Sequence, residues 1–307
     1  MPTSNRQDSD ISPTISASWT ATTGAPESAP VAAESCTAAE QEIAVRQMSN
    51  GVTRSHMDSV AREEPLEIQL GPAALAVVMR TPGHDEELTL GFLVTERVVA
   101  SVADVVSIRH CSQAASAEAE DNVIRVALAP HVEVDLVALR RNLFASSSCG
   151  ICGKATIENA LATAPALCAD DVLFDAGVIQ SFPQLLVAQQ IAFQRTGGLH
   201  AAGLFDANGH LVVVREDVGR HNAVDKVIGW AARDSRLPLA GHALMVSGRI
   251  SYEIVQKALA ARIPLIAAVS APTSLAVDLA AASNITLIGF VRGTSMNIYT
   301  HPRRVRA

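Results

Sequence analysis

From residue 183 to residue 291 the sequence alternates helix-length amphipathic segments with short apolar runs, and this alternation limits the possible folds. Glycine, proline and small polar residues bound the apolar runs, as is usual for β-strands. Strands and helices alternating at these lengths predict an α/β fold whose sheet contains parallel strands and is covered by helices. The predicted helices are 183–195, 221–234, 250–262 and 273–283, and the predicted strands are 201–205, 210–215, 243–247, 264–269 and 285–291.

The first half of the chain predicts an α+β organisation instead. Apolar side chains alternate in residues 66–70 and cluster in residues 74–80, on either side of Gly71-Pro72, which predicts a hairpin. An amphipathic helix is predicted after His84. Further elements are predicted at 104–110 (strand), 122–128 (strand) and 132–145 (helix). We therefore divide the chain into a disordered tail at 1–45, a smaller α+β domain at 64–146, a cysteine loop and connection at 147–182, and a larger α/β domain at 183–307.

Charge and cysteine usage narrow the class of protein. Residues 1–45 carry six acidic residues and one arginine, so −5 of the formal net charge of −7 lies in the predicted tail and −2 in the rest. A nearly neutral body gives no electrostatic reason to bind nucleic acid. Five cysteines in 307 residues do not form the framework of a small secreted domain. With neither a signal sequence nor a membrane-spanning run, we expect a cytoplasmic protein without a membrane partner.

Three strand ends in the second half are rich in small polar residues. They are Ser247-Gly-Arg249, Ser270-Ala-Pro-Thr-Ser274 and Arg292-Gly-Thr-Ser295. In an open α/β sheet, ligands bind beyond the carboxyl ends of strands, where hydroxyl, guanidinium and backbone N–H groups can hold an anion. A single such junction is explained by helix capping, but three together favour an anionic ligand.

A dense polar cluster covers residues 215–222, Arg-Glu-Asp-Val-Gly-Arg-His-Asn, between a predicted strand and a predicted helix. Arg215, Asp217 and His221 belong to it. His221 and Asp225 are four residues apart, so they share a helix face and are spaced to orient an imidazole or to ligate a metal. The alternative is a solvated charged turn.

Cys149-Gly-Ile-Cys152 is a pair of thiols whose spacing serves redox exchange, metal ligation or sulfur carriage. Serines at 146–148 and the glycines on either side of Cys152 predict an exposed loop rather than core. Lys154 and the start of a predicted helix near Thr156 favour the thiolate form, which is the nucleophile in persulfide chemistry.

A zinc site is the competing interpretation of the same cysteines. His131-Val-Glu133 followed by the cysteine pair partly matches the His-x-Glu and Pro-Cys-x-x-Cys pattern of zinc deaminases. Ser148 replaces the proline, however, and only fifteen residues separate Glu133 from Cys149. His131 and Glu133 also stand where the helix predicted at 132–145 would begin, a position that favours an acidic residue.

Five motifs in fixed order resemble one family, the formate dehydrogenase accessory sulfurtransferases (FdhD/NarQ). The resemblance covers roughly residues 64–305. Its motifs are Ser148-Cys-Gly-Ile-Cys-Gly-Lys154, Thr196-Gly-Gly-Leu-His-Ala-Ala202, Arg215-Glu-Asp-Val-Gly-Arg-His-Asn-Ala-Val-Asp-Lys226, Val246-Ser-Gly-Arg-Ile250 and Gly289-Phe-Val-Arg-Gly-Thr-Ser-Met-Asn-Ile-Tyr299.

The resemblance implies a sulfurtransferase with a cytidine-deaminase-like larger domain and a homodimeric active form. Its partners would be a cysteine desulfurase, which donates sulfur as a persulfide, and formate dehydrogenase, whose molybdenum cofactor receives it. Cys149 would carry the persulfide with Cys152 as its partner, and no permanently bound metal is expected. The bis-guanine dinucleotide cofactor would be a bound substrate, held by Phe290, Val291, Arg292, Gly293, Thr294 and Ser295. The alternatives are a non-catalytic cofactor chaperone and a zinc-dependent, deaminase-like hydrolase.

Overall fold

A computed structural model describes residues 39–111, 121–136, 157–158, 160–161 and 164–307. These residues fall within one compact unit, Ala32–Ala307. In the described ranges no helix is both long enough and apolar enough to span a bilayer.

The described chain begins with a hairpin that the sequence analysis did not predict. Strand β1 (Glu40–Ser49) pairs antiparallel with β2 (Val52–Ala61) around Asn50 and Gly51. Both turn residues have positive φ, 51° and 78°, as a two-residue hairpin turn requires. Because β1 starts at Glu40, residues 40–45 are a strand rather than part of the predicted tail.

A four-stranded sheet in the order β4-β3-β6-β5 follows. The predicted hairpin is confirmed as β3 (Glu64–Leu70) and β4 (Ala73–Arg80), and the helix after His84 is α1 (Asp85–Thr95). The two other predicted strands are β5 (Val105–His110) and β6 (Val123–Leu128). The helix predicted at 132–145 is wrong at its start, since residues 132–135 are not helical; residues 137–145 lie outside the described ranges.

The second half forms a mixed six-stranded sheet in the order β13-β12-β11-β10-β8-β9, which confirms the predicted α/β class. Only the pairs β10–β11 and β11–β12 are parallel. The strands are β8 (His200–Asp206), β9 (Leu211–Asp217), β10 (His242–Val246), β11 (Leu265–Ala268), β12 (Thr286–Arg292) and the unpredicted β13 (Ser295–Thr300). A small parallel pair, β7 (Phe174–Asp175) and β14 (Val305–Arg306), completes the described strands.

Helices cover both faces of this sheet. The helices are α2 (Ala176–Ala188), α3 (Ile191–Thr196), α4 (Arg220–Arg233), α5 (Tyr252–Ala260) and α6 (Ser274–Ala282). α4, α5 and α6 pack on one face and α2 on the other, because alternate residues of each strand belong to two separate cores. The single helix predicted at 183–195 is wrong: Asp175 accepts the N–H of Gly177 and starts α2 earlier, so Pro183 lies inside it.

The two sheets share one core through the contact between α1 and α4. Gly91 and Gly229 allow this contact, because a methyl group at Gly91 would overlap the Asp225 carbonyl oxygen and one at Gly229 the Glu87 carbonyl oxygen. The larger core cluster accordingly includes side chains from both sheets. The predicted domain division at 146 and 183 stays a prediction.

Candidate functional site

The turns that follow β9, β10, β11 and β12 lie along one edge of the six-stranded sheet. The parallel strands β10, β11 and β12 end at this edge, and β8 starts there, with His200 paired to Asp217 at the end of β9. Five neighbouring strands about 4.8 Å apart give it a length of about 19 Å, enough for an elongated ligand. We call it the polar edge; it comprises His200 and residues 217–222, 247–251, 270–273 and 290–295.

Two of the three predicted strand-to-helix junctions are confirmed. The segment from Ser247 leads into α5 and the segment from Ser270 leads into α6. Their hydroxyls are partly engaged within the fold, since Ser247 Oγ accepts the N–H of Ala201 at 2.8 Å and Thr273 caps α6. Arg249 is exposed beside them, so its guanidinium is accessible to a ligand.

The third predicted strand-to-helix junction is wrong, because the chain enters another strand there, although the turn lies at the same edge. Residues after β12 turn back into β13 as a hairpin, with Gly293 at φ 54°, instead of entering a helix. No helix N-terminus is therefore present there, and Arg292 supplies the positive charge. Its Nε donates to the Val269 carbonyl at 3.2 Å, which holds the side chain over the end of β11.

Phe290 has a backbone conformation that is rare for a non-glycine residue. Its φ is 53°, at an irregularity in the pairing of β12 with β13, and its N–H donates to the Ser270 carbonyl at 3.1 Å. Such strain clusters at functional sites. The guanidinium carbon of Arg292 lies 5.7 Å from the centre of the Phe290 ring, so an aromatic face and a cation are presented together.

Arg220 is the clearest anion-binding group of the polar edge. Its Nε is buried and has no hydrogen-bond partner among the described residues. A methyl group at Gly248 would lie 3.3 Å from His200 Nδ1, so Gly248 leaves room for this imidazole at the strand end, and Arg220 Cδ stands 3.7 Å from the same point. Neither α4, capped by Gly219, nor α5, capped by Ser251, has a side-chain hydrogen bond at its N-cap. Their first N–H groups point at the same edge.

The two histidines of the polar edge are held neutral. Burial, followed by the charge of Arg220, lowers the pKa of His200, and the same two causes lower the pKa of His221 to about 4. His221 Nε2 lies 3.0 Å from Ser251 Oγ and 3.8 Å from a carboxylate oxygen of Glu253. At neutral pH the positive charge here therefore comes from arginine.

The predicted partnership of His221 and Asp225 is wrong. Asp225 is buried, where it accepts the Thr95 hydroxyl at 2.8 Å and pairs with Lys257 at 3.0 Å. Within the described ranges, no cluster of three or more histidine, cysteine or acidic side chains is arranged to hold a metal. Asp225 therefore belongs to the packing between α1, α4 and α5.

Arg215 and Asp217, two charged residues of the 215–222 cluster, are buried beneath the polar edge and form ion pairs there. Arg215 donates two hydrogen bonds to Glu87 of α1, at 2.6 and 3.0 Å. Asp217 pairs with Lys226 at 2.8 Å and also accepts the N–H of Thr81 at 3.1 Å. Arg220 and His221 follow in the same cluster but lie at the polar edge, where His221 contacts Ser251.

The described chain next to the cysteine loop is fastened at the opposite edge of the sheet. Leu167 exchanges hydrogen bonds with Ser283 and Asn284, which precede β12, and Arg304 pairs with Asp170 at 2.6 Å. Arg262, which precedes β11, donates to the Pro165 carbonyl. Cys149, Cys152 and Lys154 themselves lie outside the described residues, so the predicted carrier stays a prediction.

The groups of the zinc interpretation are partly described. The side chain of His131 is 72% exposed and lies 3.2 Å from Asp104 Oδ1, in an ion-pair geometry at the surface. Glu133 lies in a non-helical segment. The two described members are thus placed on the protein surface beside β5.

Sequence reasoning gave His200 and Arg220 no role, although both lie in the quoted motifs. A usable signal was the hairpin turn at 206–209, which predicts that the start of β8 lies beside the end of β9. A register shift between Leu204 and Phe205 then pairs His200 with Asp217 instead of Glu216. The Gly248 contact joins two segments far apart in sequence, and no local pattern reports it.

Known proteins resemble this chain over most of its length. Residues 61–306 match the FdhD/NarQ family. A sulfur carrier protein FdhD from Mycolicibacterium paratuberculosis is 48% identical over 85% of this chain and 97% of its own length. One from Sulfolobus acidocaldarius is 46% identical, over 86% and 98%. The crystal structure described as a formate dehydrogenase accessory protein from Desulfotalea psychrophila has a TM-score of 0.69 at 25% identity, covering 87% of this chain and 99% of that one.

Proposed function

Because the chain belongs to the FdhD/NarQ family, we propose that it is a cytoplasmic sulfurtransferase acting on the molybdenum cofactor. It accepts sulfur from a cysteine desulfurase as a persulfide on Cys149 and passes it to the bis-guanine dinucleotide form of the cofactor, for formate dehydrogenase. The names of its relatives, sulfur carrier protein and formate dehydrogenase accessory protein, support this class of function. The observation that carries the proposal is the polar edge, whose arginines suit a ligand with several phosphates.

The polar edge offers different groups at its two ends. At one end, Arg220 and the N-terminus of α4 provide donors for a pyrophosphate. At the other end, the Phe290 ring and Arg292 provide a stacking surface and a cation for a guanine nucleotide. A dinucleotide needs both kinds of contact, separated by several ångströms, and the edge length of about 19 Å meets that need.

Loading of sulfur onto Cys149 balances without an external redox partner. The Cys149 thiolate attacks the terminal sulfur of the desulfurase persulfide, and the desulfurase cysteine leaves as a thiolate. Release from Cys149 follows one of two routes. In the first, the Cys152 thiolate takes over the terminal sulfur as a second persulfide, and a further thiol must supply two electrons when that sulfur leaves as sulfide. In the second, the Cys152 thiolate attacks the inner sulfur, forms a disulfide with Cys149 and expels hydrosulfide, so a thiol reductant must reduce the disulfide before the next turnover.

Removing the Cys149 thiol should abolish sulfur loading. With a cysteine desulfurase and radiolabelled cysteine, wild-type protein is expected to acquire label that reductant removes, and Cys149→Ala is expected to acquire none. Cys168→Ala is the matched control, because Cys168 is an exposed free cysteine outside the motifs, and it should load like wild type. Full loading of Cys149→Ala would contradict the assignment. Restored formate dehydrogenase activity from Cys149→Ala in a deletion strain would favour the cofactor chaperone instead.

Arginine substitutions at the polar edge should weaken nucleotide binding. Arg220→Ala and Arg292→Ala are each expected to weaken guanosine diphosphate binding by about tenfold or more, because a charge-assisted hydrogen bond contributes about 1.5 to 3 kcal/mol. Calorimetric titration measures the change. Arg303→Ala is the control, because Arg303 lies beside Asn284 at the opposite edge. Equal affinity of all four proteins would show that the nucleotide does not bind at the polar edge.

A further inference from the structure

His221, Ser251 and Glu253 form a row of hydrogen-bonded side chains at the polar edge. His221 Nε2 lies 3.0 Å from Ser251 Oγ and 3.8 Å from a carboxylate oxygen of Glu253. Burial acts to raise the pKa of Glu253, but its pKa is lowered, chiefly because the Ser251 hydroxyl donates a hydrogen bond to the carboxylate. Although Ser251 is the N-cap of α5, its side chain makes no capping hydrogen bond, so its lone pairs are left for His221.

These contacts determine which nitrogen of His221 carries the proton. A carboxylate only accepts hydrogen bonds, so the single proton of Ser251 Oγ goes to Glu253, and Ser251 Oγ must accept from Nε2–H. An unprotonated Nε2 would instead place its lone pair 3.8 Å from a negative charge. Burial and the charge of Arg220 lower the pKa of His221 to about 4, so the ring has one proton at neutral pH. That proton lies on Nε2, and Nδ1 is an unprotonated acceptor.

An unprotonated acceptor stands here beside a group that binds anions. Arg220 precedes His221 in α4, and its buried Nε has no hydrogen-bond partner among the described residues. A phosphate oxygen suits Arg220 but is repelled by the lone pair of Nδ1, because both are acceptors. The side chain of His221 is 32% exposed, so a ligand at the polar edge reaches it. Such a ligand must present a hydrogen-bond donor to Nδ1.

We propose that His221 is a specificity-determining residue, whose Nδ1 accepts an N–H or O–H of the same ligand whose phosphate Arg220 holds. The ligand is then a phosphorylated compound with a neutral hydrogen-bond donor near its phosphate, and not a polyphosphate alone. Ser251 and Glu253 act through His221 as positioning residues. The inference rests on the proposed function, because it takes a phosphorylated ligand at the polar edge as its premise.

Two parts of the dinucleotide cofactor have this chemistry. The guanosine half carries ribose hydroxyls and base N–H groups, and the reduced pterin half carries ring N–H groups. Three probes separate the possibilities in calorimetric titrations of the full chain: inorganic pyrophosphate, guanosine diphosphate, and a tetrahydropterin that carries a phosphate ester. Pyrophosphate has the anionic charge without the neutral donor, so it reports on Arg220 alone.

His221→Gln removes the acceptor, because the glutamine amide can keep the bond to Ser251 but offers no atom at the position of Nδ1. Pyrophosphate affinity is expected to stay within about twofold of wild type. The affinity for guanosine diphosphate or for the pterin is expected to fall about three- to tenfold, the effect of one lost neutral hydrogen bond. The probe that shows the loss identifies the half of the cofactor at this end.

Nitrogen NMR of histidine-labelled protein measures the tautomer directly. Wild type should carry the His221 proton on Nε2, in signals that disappear in His221→Gln. Glu253→Ala frees the Ser251 proton for Nε2, so it should shift the ring toward the Nδ1–H form and weaken the same probe. His210→Gln is the matched control, because His210 is 78% exposed and pairs with Asp206 at the opposite edge of the sheet. It should leave all three affinities unchanged.

Three outcomes would overturn the inference. They are a proton on Nδ1 in the wild-type protein, an equal loss for pyrophosphate and the other probes in His221→Gln, and no loss for either donor-bearing probe. In each case the proposed function still stands if guanosine diphosphate binds wild type and Arg220→Ala weakens it. If none of the three probes binds wild type, the proposed function and the role of His221 both fail.

Discussion

Gly229→Ala is expected to lower the free energy of unfolding by about 2 to 3 kcal/mol, because overpacking of backbone against backbone outweighs the gain of about 1 kcal/mol in helix propensity. The new methyl group would overlap the Glu87 carbonyl oxygen and lie 2.8 Å from the Gly91 nitrogen. Backbone atoms cannot rotate away as side chains do, so α1 and α4 must separate. Urea unfolding measures the loss, and a midpoint shift without a change in slope would identify it as native-state destabilisation.

Gly241→Ala is the matched control for that experiment. A methyl group at Gly241 would meet no atom within 4 Å, so its stability should stay close to that of wild type. Gly91→Ala should resemble Gly229→Ala, and the double variant should cost less than the two losses together, because one separation of the helices accommodates both methyl groups. Wild-type stability in Gly229→Ala would mean that α1 and α4 do not pack this closely.

Lys226→Met is expected to cost about 3 to 5 kcal/mol of stability, because it leaves the buried carboxylate of Asp217 without its cation. Lys226 and Asp217 are 1% and 0% exposed and 2.8 Å apart. The lysine also donates to the Thr81 carbonyl at 2.9 Å, so its loss frees the segment that joins β4 to α1. Calorimetric or urea unfolding at neutral pH measures the effect.

Asp234→Asn is the control for the buried pair. Asp234 lies 3.4 Å from Arg236, but both side chains are largely solvated, so this substitution should cost no more than about 1 kcal/mol. Similar losses for Lys226→Met and Asp234→Asn would mean that water reaches Asp217.

Guanosine diphosphate affinity should also fall in Lys226→Met, because Asp217 positions Gly219, the N-cap of α4.

The parallel core of the fold is readable from sequence because its elements are long and strongly periodic. β10 to β12 are mostly buried apolar runs, and the helices α4 to α6 begin and end within two residues of their predicted bounds. The hairpin of β1 and β2 escaped prediction because neither face of these strands is buried, so no period-two pattern develops. β13 was missed for the same reason, since five of its six residues are at least partly exposed.

The candidate site was only partly predictable. The order of the strands in the sheet brings the polar turns together at one edge, and the alternation of strands and helices in the sequence predicts only part of that order. Which side chain of a polar cluster faces inward depends on long-range partners. Asp217 is paired because Lys226 lies in the next helix, α4, and because Thr81 reaches it from the segment between β4 and α1. Arg220, three residues further on, meets no such partner among the described residues, and only the fold distinguishes the two.

The inward pairs of Arg215 with Glu87 and of Asp217 with Lys226 connect the polar edge to the contact between the two sheets. A ligand that stabilises the turn from β9 into α4 must then also stabilise α1 against unfolding, although α1 lies more than 100 residues earlier in the chain. Thermodynamic reciprocity requires the converse as well. A substitution that destabilises α1 must lower the binding free energy of the ligand by the same amount by which the ligand stabilises α1.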